Sequence, residues 1–250
     1  AHWMHSGDVD GDGRDEVILG SCVIDDSGTG LWTTGLGHPD RCFLTDVDPS
    51  RPGLEIFYNI EPGHTENGVC LVDARTGDLV WGLKERTYHV GSGMAADLDP
   101  THPGCECWAG EDGKGDPKGQ NYGGAPPRWL LSASGEVLTR DAQAPSTFNA
   151  VYWDADALRE LCSGSQLRKW DGQVVTQGLA GGQVFWGDVL GDWREEILTS
   201  VPGELRIYTT TLPASDRHVC LLQDPIYRVD VAHEAWGTHS HQAWGTTSAS

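Results

Sequence analysis

The stretch GDVDGDGRDEV, at residues 7–17, places aspartates at alternate positions and follows them with a glycine and a glutamate. The carboxylates can turn inward around a tight turn, because Gly13 permits the sharp backbone bend that such a turn needs. The candidate ligands are Asp8, Asp10, Asp12, the backbone carbonyl of Arg14 and Glu16. An all-oxygen shell suits a hard cation, and calcium tolerates the irregular geometry of a short loop better than magnesium does. The spacing therefore predicts a calcium site.

The flanking residues argue against a helical calcium sensor of the EF-hand type. An EF-hand needs a bidentate acid at the twelfth loop position, but that position is Leu19 here, and the flank EVILG is an apolar run suited to a strand. The alternative is an acidic turn that binds no ion. We favour the calcium site because five acids within nine residues repel one another unless a cation lies among them.

The acidic motif recurs four times downstream, with starts at residues 46, 97, 154 and 188. The acids of these repeats are Asp46, Asp48 and Glu55; Asp97, Asp99 and Glu106; Asp154, Asp156 and Glu160; and Asp188, Asp192, Glu195 and Glu196. The further calcium ligands that we predict are Asp46, Asp48, Glu55, Asp97, Asp99, Glu106, Asp188, Asp192 and Glu196. The spacing between starts varies from 34 to 57 residues, which is in the range of propeller blades with loop insertions.

The stretches between the acidic repeats favour strands. Examples are GVCLVDARTGDLVWGL at 68–83, which contains a T-G-D hairpin turn, and ELRIYTTTL at 204–212. Helical periodicity is absent apart from a short turn at ADALREL, residues 155–161. The sequence therefore predicts an all-β fold, and the acid–turn–apolar repeat favours a β-propeller over a sandwich.

The amino-acid composition limits the classes of partner that the chain can bind. With 37 acidic and 17 basic side chains the formal charge is -20, which argues against nucleic acid and anionic membranes and fits a protein that binds divalent cations. The sequence contains no apolar run of the roughly 18 residues needed to span a bilayer. It also shows no signal peptide, and we expect the natural chain to begin upstream of Ala1, which lies in a strand-like stretch.

The seven cysteines mostly lie within apolar, strand-like runs, which predicts buried thiols and no disulfide framework. Cys105 and Cys107 form a C-x-C pair that raises the alternative of a zinc site. We do not favour zinc, because no second pair follows at the spacing of a ligand set.

Eight segments occur in the same order as in a known family. They are DVDGDGRDEVILG, DDSGTGLWTTGLGHPD, DVDPSRPGLEIF, GMAADLDPTHPG, VYWDADALRELCSG, LGDWREEI, LRIYTTTLP and DPIYRV, from about residue 7 to residue 229. In this order they resemble the calcium-binding β-propeller domain of the family 11 polysaccharide lyases, the rhamnogalacturonan lyases. The resemblance implies a partial set of blades from an eight-bladed propeller, with the missing blades in a longer parent chain. On this basis residues 1–232 form a partial lyase-like propeller, and residues 233–250 form a divergent tail.

The resemblance also implies an activity and a setting. Family members cleave rhamnogalacturonan, an acidic plant cell-wall polysaccharide of alternating rhamnose and galacturonic acid, by β-elimination. Such enzymes are secreted and hold several structural calcium ions. We therefore expect rhamnogalacturonan as the partner, Ca²⁺ as the cofactor and an extracellular location for the parent protein.

β-Elimination needs a base for the C5 proton, a positive charge beside the uronate carboxylate and a proton for the leaving O4. In the family, the active centre is associated with a lysine in an Asn-Gly-Thr-Lys stretch and with a tyrosine after the DPxYR segment. Here the lysine position falls near Ala180, and no tyrosine follows Arg228. We therefore expect this isolated chain to lack elimination activity. The alternative function is a non-catalytic calcium-binding propeller that binds carbohydrate or protein.

Replacement bases can still be proposed from residue type. The candidates are Lys169, His233 and His239, and the candidate contacts to substrate are Arg228 and His38. Each has a structural alternative: Lys169 as a surface residue that covers Trp170, Arg228 as a partner in a salt bridge, and His38 as a turn cap.

Overall fold

The computed structural model describes residues 3–112, 125–141, 144–145, 149–214 and 217–234. Within these residues the chain forms five antiparallel sheets, and in each sheet the strands lie side by side in sequence order. This confirms the predicted all-β class. The chain divides into two compact units, one within residues 3–96 and 101–145 and the other within residues 97–100 and 149–234.

The first unit contains three four-stranded sheets. The first sheet has β1 (Met4–Gly7), β2 (Glu16–Leu19), β3 (Cys22–Ile24) and β4 (Gly30–Thr33). The second has β5 (Pro39–Thr45), β6 (Glu55–Ile60), β7 (Val69–Asp73) and β8 (Leu79–Gly82). The third has β9 (Ser92–Ala96), β10 (Glu106–Gly110), β11 (Arg128–Leu131) and β12 (Val137–Arg140).

The second unit contains a four-stranded sheet, a three-stranded sheet and a helix. The four-stranded sheet has β13 (Ala150–Val151), β14 (Glu160–Ser163), β15 (Gln166–Arg168) and β16 (Val174–Gln177). The three-stranded sheet has β17 (Gly182–Gly187), β18 (Glu196–Val201) and β19 (Glu204–Tyr208). A short 3₁₀-helix (Leu221–Gln223) leads into α1 (Pro225–Glu234).

Helix α1 corrects the sequence prediction, which placed helical character only at ADALREL. Residues 160–163 of the chain instead form β14. The sequence does not indicate this helix, because its ten residues carry little amphipathic periodicity. Pro225 suits a first helical position, and the N–H of Tyr227 donates to Asp224 Oδ1 at 3.0 Å, which caps the helix start.

Tryptophans on the fourth strand of one sheet pack against a hairpin of the next sheet in the first unit. Trp32 Nε1 donates to the carbonyl of Ala74 at 3.1 Å. A Cβ atom at Gly77, whose φ is +76°, would lie 2.5 Å from the Trp32 ring. Trp81 and Gly135 repeat this arrangement between the second and third sheets. Glycine is therefore required at these hairpins by both backbone conformation and space.

A buried ion pair lies in the core of the second unit. Arg159 Nη1 donates to Glu195 Oε2 at 2.8 Å, and both side chains have 0% of their surface exposed. Glu195 also accepts from the Tyr227 hydroxyl at 2.8 Å and from the N–H of Tyr152 at 3.0 Å. The Arg159 guanidinium lies 4.2 Å from the centre of the Tyr152 ring. Glu195 belongs to the REE segment and Tyr227 to the DPIYR segment. Their hydrogen bond thus links helix α1 to the buried ion pair of the second unit.

The seven cysteines are all free thiols, and five of them are buried, as predicted. Within the part of the chain that the structure describes, no helix has the length and apolar character needed to cross a membrane.

Candidate functional site

The glutamate of each acidic repeat opens the second strand of its sheet. These residues are Glu16 in β2, Glu55 in β6, Glu106 in β10, Glu160 in β14 and Glu196 in β18. All five side chains are buried, with at most 1% of their surface exposed. A buried carboxylate is costly unless hydrogen bonds or a cation compensate its charge.

One carboxylate oxygen holds the loop backbone in four of the repeats. Glu16 Oε2 accepts from the N–H of Val9 at 2.8 Å. The matching bonds run from Val47 to Glu55 (3.0 Å), from Trp153 to Glu160 (3.0 Å) and from Leu190 to Glu196 (3.0 Å). The second oxygen of each carboxylate therefore needs another partner.

The first acidic loop brings three of its acids together. Asp8 Oδ1 accepts from the N–H of Gly11 at 2.8 Å, and Oδ2 accepts from that of Gly13 at 3.0 Å. Asp8, Asp10 and Glu16 each offer an oxygen, and these atoms lie within 4.8 Å of one another. Glu16 Oε1 is buried and has no hydrogen-bond partner. A hard cation would satisfy this orphaned oxygen, so the residues fit the predicted calcium.

Asp12 and Arg14, also predicted as ligands, make other contacts. Asp12 Oδ1 accepts from the N–H of Arg14 at 2.9 Å, and the Arg14 guanidinium donates to Asp26 at 2.7 Å. Asp26 belongs, with Asp25 and Glu16, to a second group of acids whose oxygens come within 4.8 Å of one another. The ligand roles of Asp12 and of the Arg14 carbonyl stay predictions.

The second loop carries a positive charge of its own. Arg51 Nε lies 3.6 Å from Glu55 Oε1, and Arg51 Nη2 lies 3.7 Å from Asp73 Oδ2. Burial raises the pKa of Glu55 to about 7, although backbone hydrogen bonds and Arg51 act in the opposite direction. Burial also raises the pKa of Asp46, with a further contribution from the charge of Asp48.

The acids of the third loop fall in both units, with Asp97 and Asp99 in the second unit and Glu106 in the first. Burial raises the pKa of Asp97 to about 6. Asp99 Oδ2 accepts from Trp170 Nε1 at 3.1 Å. These contacts do not test a metal role for the three acids, which stays a prediction.

The fifth loop also holds a buried carboxylate oxygen without a hydrogen-bond partner. Asp188 Oδ2 accepts from the backbone N–H of Leu221 at 2.8 Å, whereas Asp188 Oδ1 is buried and has no hydrogen-bond partner. Glu196 Oε1 accepts from the Thr209 hydroxyl at 3.0 Å. Asp192 pairs with Arg194 at 3.1 Å. Asp188 is therefore the residue of this loop that best fits a cation ligand.

The fourth loop differs because a lysine lies among its acids. Lys169 Nζ is 2.7 Å from Asp154 Oδ2, 2.7 Å from Asp156 Oδ2 and 2.9 Å from Glu160 Oε1. Burial lowers the pKa of Lys169, but its close contacts with the three carboxylates outweigh burial and hold the pKa well above its ordinary value. A lysine held in this way is a poor proton acceptor, so these contacts argue against Lys169 as a replacement base.

A cluster of two histidines and three carboxylates lies in the first unit, and we call it the histidine–carboxylate cluster. Its members are His38, Asp40, Glu61, His89 and Asp112. His38 Nε2 contacts Glu61 Oε2. His89 Nε2 lies 3.2 Å from Glu61 Oε1, and His89 Nδ1 lies 3.3 Å from Asp112 Oδ2. Ligand atoms of His38, Asp40 and Glu61 lie within 4.8 Å of one another.

Strand ends position this cluster. His38 directly precedes β5 and Asp40 is its second residue, whereas Glu61 directly follows β6. Since β5 and β6 pair antiparallel, with Pro39 opposite Ile60, the start of one and the end of the other meet at one edge. Imidazole and carboxylate groups are a donor set for divalent cations.

Sequence reasoning found only His38 of this cluster. Asp40 ends the DDSGTGLWTTGLGHPD segment, whereas Glu61, His89 and Asp112 lie outside the eight segments. The residues meet through strand pairing and through the segments before β9 and after β10. The available signal was position, since each of these polar residues lies within three residues of a strand end.

The remaining candidates lie elsewhere. Arg228 is exposed on α1, and its Nη1 donates to the carbonyls of Leu222 at 3.1 Å and Gln223 at 3.4 Å. His233 lies in the last turn of α1. His239 lies outside the described residues. Their roles toward substrate stay predictions.

The chain matches the family described as rhamnogalacturonan lyase family 11, C-terminal domain, over residues 1–244. Two similar proteins come from Bacillus subtilis strain 168. Rhamnogalacturonan endolyase YesW is 37% identical over 246 residues, which cover 92% of this chain and 37% of YesW. Rhamnogalacturonan exolyase YesX is 38% identical over 254 residues, which cover 92% of this chain and 40% of YesX.

A solved structure of a Bacillus licheniformis rhamnogalacturonan lyase, PL11, is also similar. It superposes with a TM-score of 0.79 at 35% identity, and the match covers 97% of this chain and 40% of that one. The chain thus spans roughly two fifths of the length of these relatives.

Proposed function

Because the chain belongs to the rhamnogalacturonan lyases of family 11, as their C-terminal domain, we propose that it is a cation-dependent binding surface for rhamnogalacturonan. We further propose that its five sheets are consecutive blades of a β-propeller. Three features support the propeller: each sheet is a sequential meander, the same glutamate opens each second strand, and tryptophan–glycine contacts join successive sheets of the first unit. Repetition of one supersecondary unit is the mark of such folds.

The histidine–carboxylate cluster is the observation that carries the binding proposal. His38, Asp40 and Glu61 would hold a divalent cation, which would supply positive charge for a uronate carboxylate. Without the cation the cluster is rich in negative charge and would repel an acidic glycan. Binding of rhamnogalacturonan should therefore require the ion.

Calcium is the cation that we propose for the acidic loops, where it would have a structural role. The support comes from buried carboxylate oxygens without partners, Glu16 Oε1 in the first loop and Asp188 Oδ1 in the fifth. We also propose an extracellular location, because a cell-wall polymer is encountered outside the cell.

We propose binding without elimination for this chain. The family's lysine position falls near Ala180, and Lys169 is held by three carboxylates. No described group stands out as a base for the C5 proton. The chain would therefore bind the polymer without removing that proton. This favours the alternative of a non-catalytic binding domain.

Calorimetric titration of the chain with a rhamnogalacturonan oligosaccharide tests the proposal. We expect binding in calcium, loss of binding in chelator, and at least a tenfold higher Kd for Asp40→Asn. The matched control is Glu136→Gln, which removes an exposed carboxylate from a hairpin of the same unit and should leave Kd unchanged. Equal affinity in calcium and chelator, with Asp40→Asn unchanged, would refute the cation's role in binding.

A further inference from the structure

We propose that the ammonium group of Lys169 takes the place of a divalent cation in the fourth acidic loop, so that this loop is assembled without a metal ion. The inference goes beyond the binding function proposed above and does not depend on it. It concerns the loop at Asp154–Glu160, whose sequence closely follows the acidic pattern of the others.

The geometry of the fourth loop is that of an occupied cation site. Asp154, Asp156 and Glu160 each direct one oxygen to within 2.9 Å of Lys169 Nζ. The same three residues offer oxygens that lie within 4.8 Å of one another, as those of the first loop do. The contact to Asp156 Oδ2 is a hydrogen bond at 2.7 Å, and those to Asp154 and Glu160 are ion pairs, so one ammonium group contacts all three carboxylates.

Strand register shows that Lys169 occupies a defined position in the repeat, the one opposite the buried glutamate. In the second sheet Glu55 pairs with Asp73. In the fourth sheet Leu161 pairs with Arg168, so the next position places Lys169 opposite Glu160, and their 2.9 Å contact agrees. The position opposite the buried glutamate is therefore held by an aspartate in the second sheet and by a lysine in the fourth.

The first and fifth sheets carry other residues opposite the buried glutamate. Val17 pairs with Ile24, so Asp25 follows opposite Glu16, and both belong to one group of acids whose oxygens converge. In the fifth sheet the equivalent position is held by Thr209, whose hydroxyl donates to Glu196 Oε1 at 3.0 Å. An acid at this position adds to the need for a cation, and a lysine removes it.

Charge and burial explain how the Lys169 ammonium group can take the place of a divalent cation. Glu160 has 0% of its side chain exposed and Lys169 has 19%, so the pair is shielded from solvent on the glutamate side. A divalent ion and the ammonium group cannot occupy the same centre, because their charges repel at such short range. The lysine thus both neutralises the loop and excludes the ion.

Counting bound calcium tests the inference, by equilibrium dialysis followed by atomic emission. Lys169→Met keeps the length of the stem but removes the charge, and we expect this variant to bind one more calcium ion per chain than the parent. In chelator it should unfold at a lower temperature than the parent, and calcium should restore the difference. Lys84→Met removes an exposed lysine paired with Glu66 and should leave the calcium count unchanged.

A second variant keeps the test decisive if Lys169→Met does not fold. Asp156→Asn changes an acid that is 50% exposed, and it should leave the calcium count of the parent unchanged, because the loop holds no ion. Loss of one ion in Asp156→Asn, or no gain in a folded Lys169→Met, would overturn the inference. A parent chain that binds no calcium at all would refute the calcium proposal, yet Lys169→Met should still gain one ion.

Discussion

Replacing Arg159 by methionine should strongly destabilise the second unit. The substitution removes the guanidinium that donates to Glu195 at 2.8 Å, and the side chains of both residues have 0% exposure. It leaves a carboxylate that is buried without a positive charge. Breaking a buried pair in this way typically costs about 3–5 kcal/mol. We expect the lower end, about 3 kcal/mol, because Tyr227 and the backbone N–H of Tyr152 still donate to Glu195.

Urea unfolding followed by tryptophan fluorescence measures this loss of stability. The double variant Arg159→Met with Glu195→Gln should recover at least half of the loss, because it removes the uncompensated charge as well. The matched control is Arg206→Met. Arg206 pairs with Glu204 at 2.8 Å on the surface of the same unit, and an exposed pair contributes about 0–1 kcal/mol. An Arg159→Met variant no less stable than Arg206→Met would refute the role assigned to the buried pair.

Three further predictions concern packing, pH and activity. Gly77→Ala should cost about 1–3 kcal/mol more than Gly28→Ala, because both glycines have positive φ but only Gly77 faces a tryptophan ring; equal urea midpoints would contradict the inter-sheet contact. In chelator the folded pKa of about 7 at Glu55 lies above the ordinary value of 4.5, so its contribution to stability is full below pH 4.5 and is lost as pH rises to about 7. Glu55→Gln should flatten that part of a melting-temperature profile, and an unchanged profile would contradict the assignment. Finally, the chain should release no unsaturated uronide from rhamnogalacturonan with calcium present, since a well-placed base contributes a factor of about 10² to 10⁴; a steady rise in ultraviolet absorbance would contradict this.

The all-β class and the positions of the acidic loops could be predicted because they depend on local patterns. Each repeat places a glutamate at the start of an apolar run, and each such run became the second strand of a sheet. The spacing identifies the glutamates as candidate ligands, whereas their burial and their bonds to the preceding loop are seen only in the structure.

The histidine–carboxylate cluster could not be predicted, because it depends on contacts between distant segments. His38 and Glu61 meet through the pairing of β5 with β6, and His89 and Asp112 join them from the segments before β9 and after β10. The role of Lys169 was missed for a similar reason, since its place opposite Glu160 depends on strand register. Helix α1 was missed because its sequence carries little periodicity.

Thermal unfolding in calcium and in chelator tests the central claim, that acidic loops other than the fourth bind cations in the folded state. At a calcium concentration of about 100 times Kd, each occupied site should add about 2.7 kcal/mol to the free energy of unfolding. We predict a clear rise in melting temperature with calcium for the parent chain, and a smaller rise for Asp10→Ala and Glu16→Gln, which lose ligands of the first loop. Superimposable melting curves in calcium and chelator, with both variants as stable as the parent, would contradict the account.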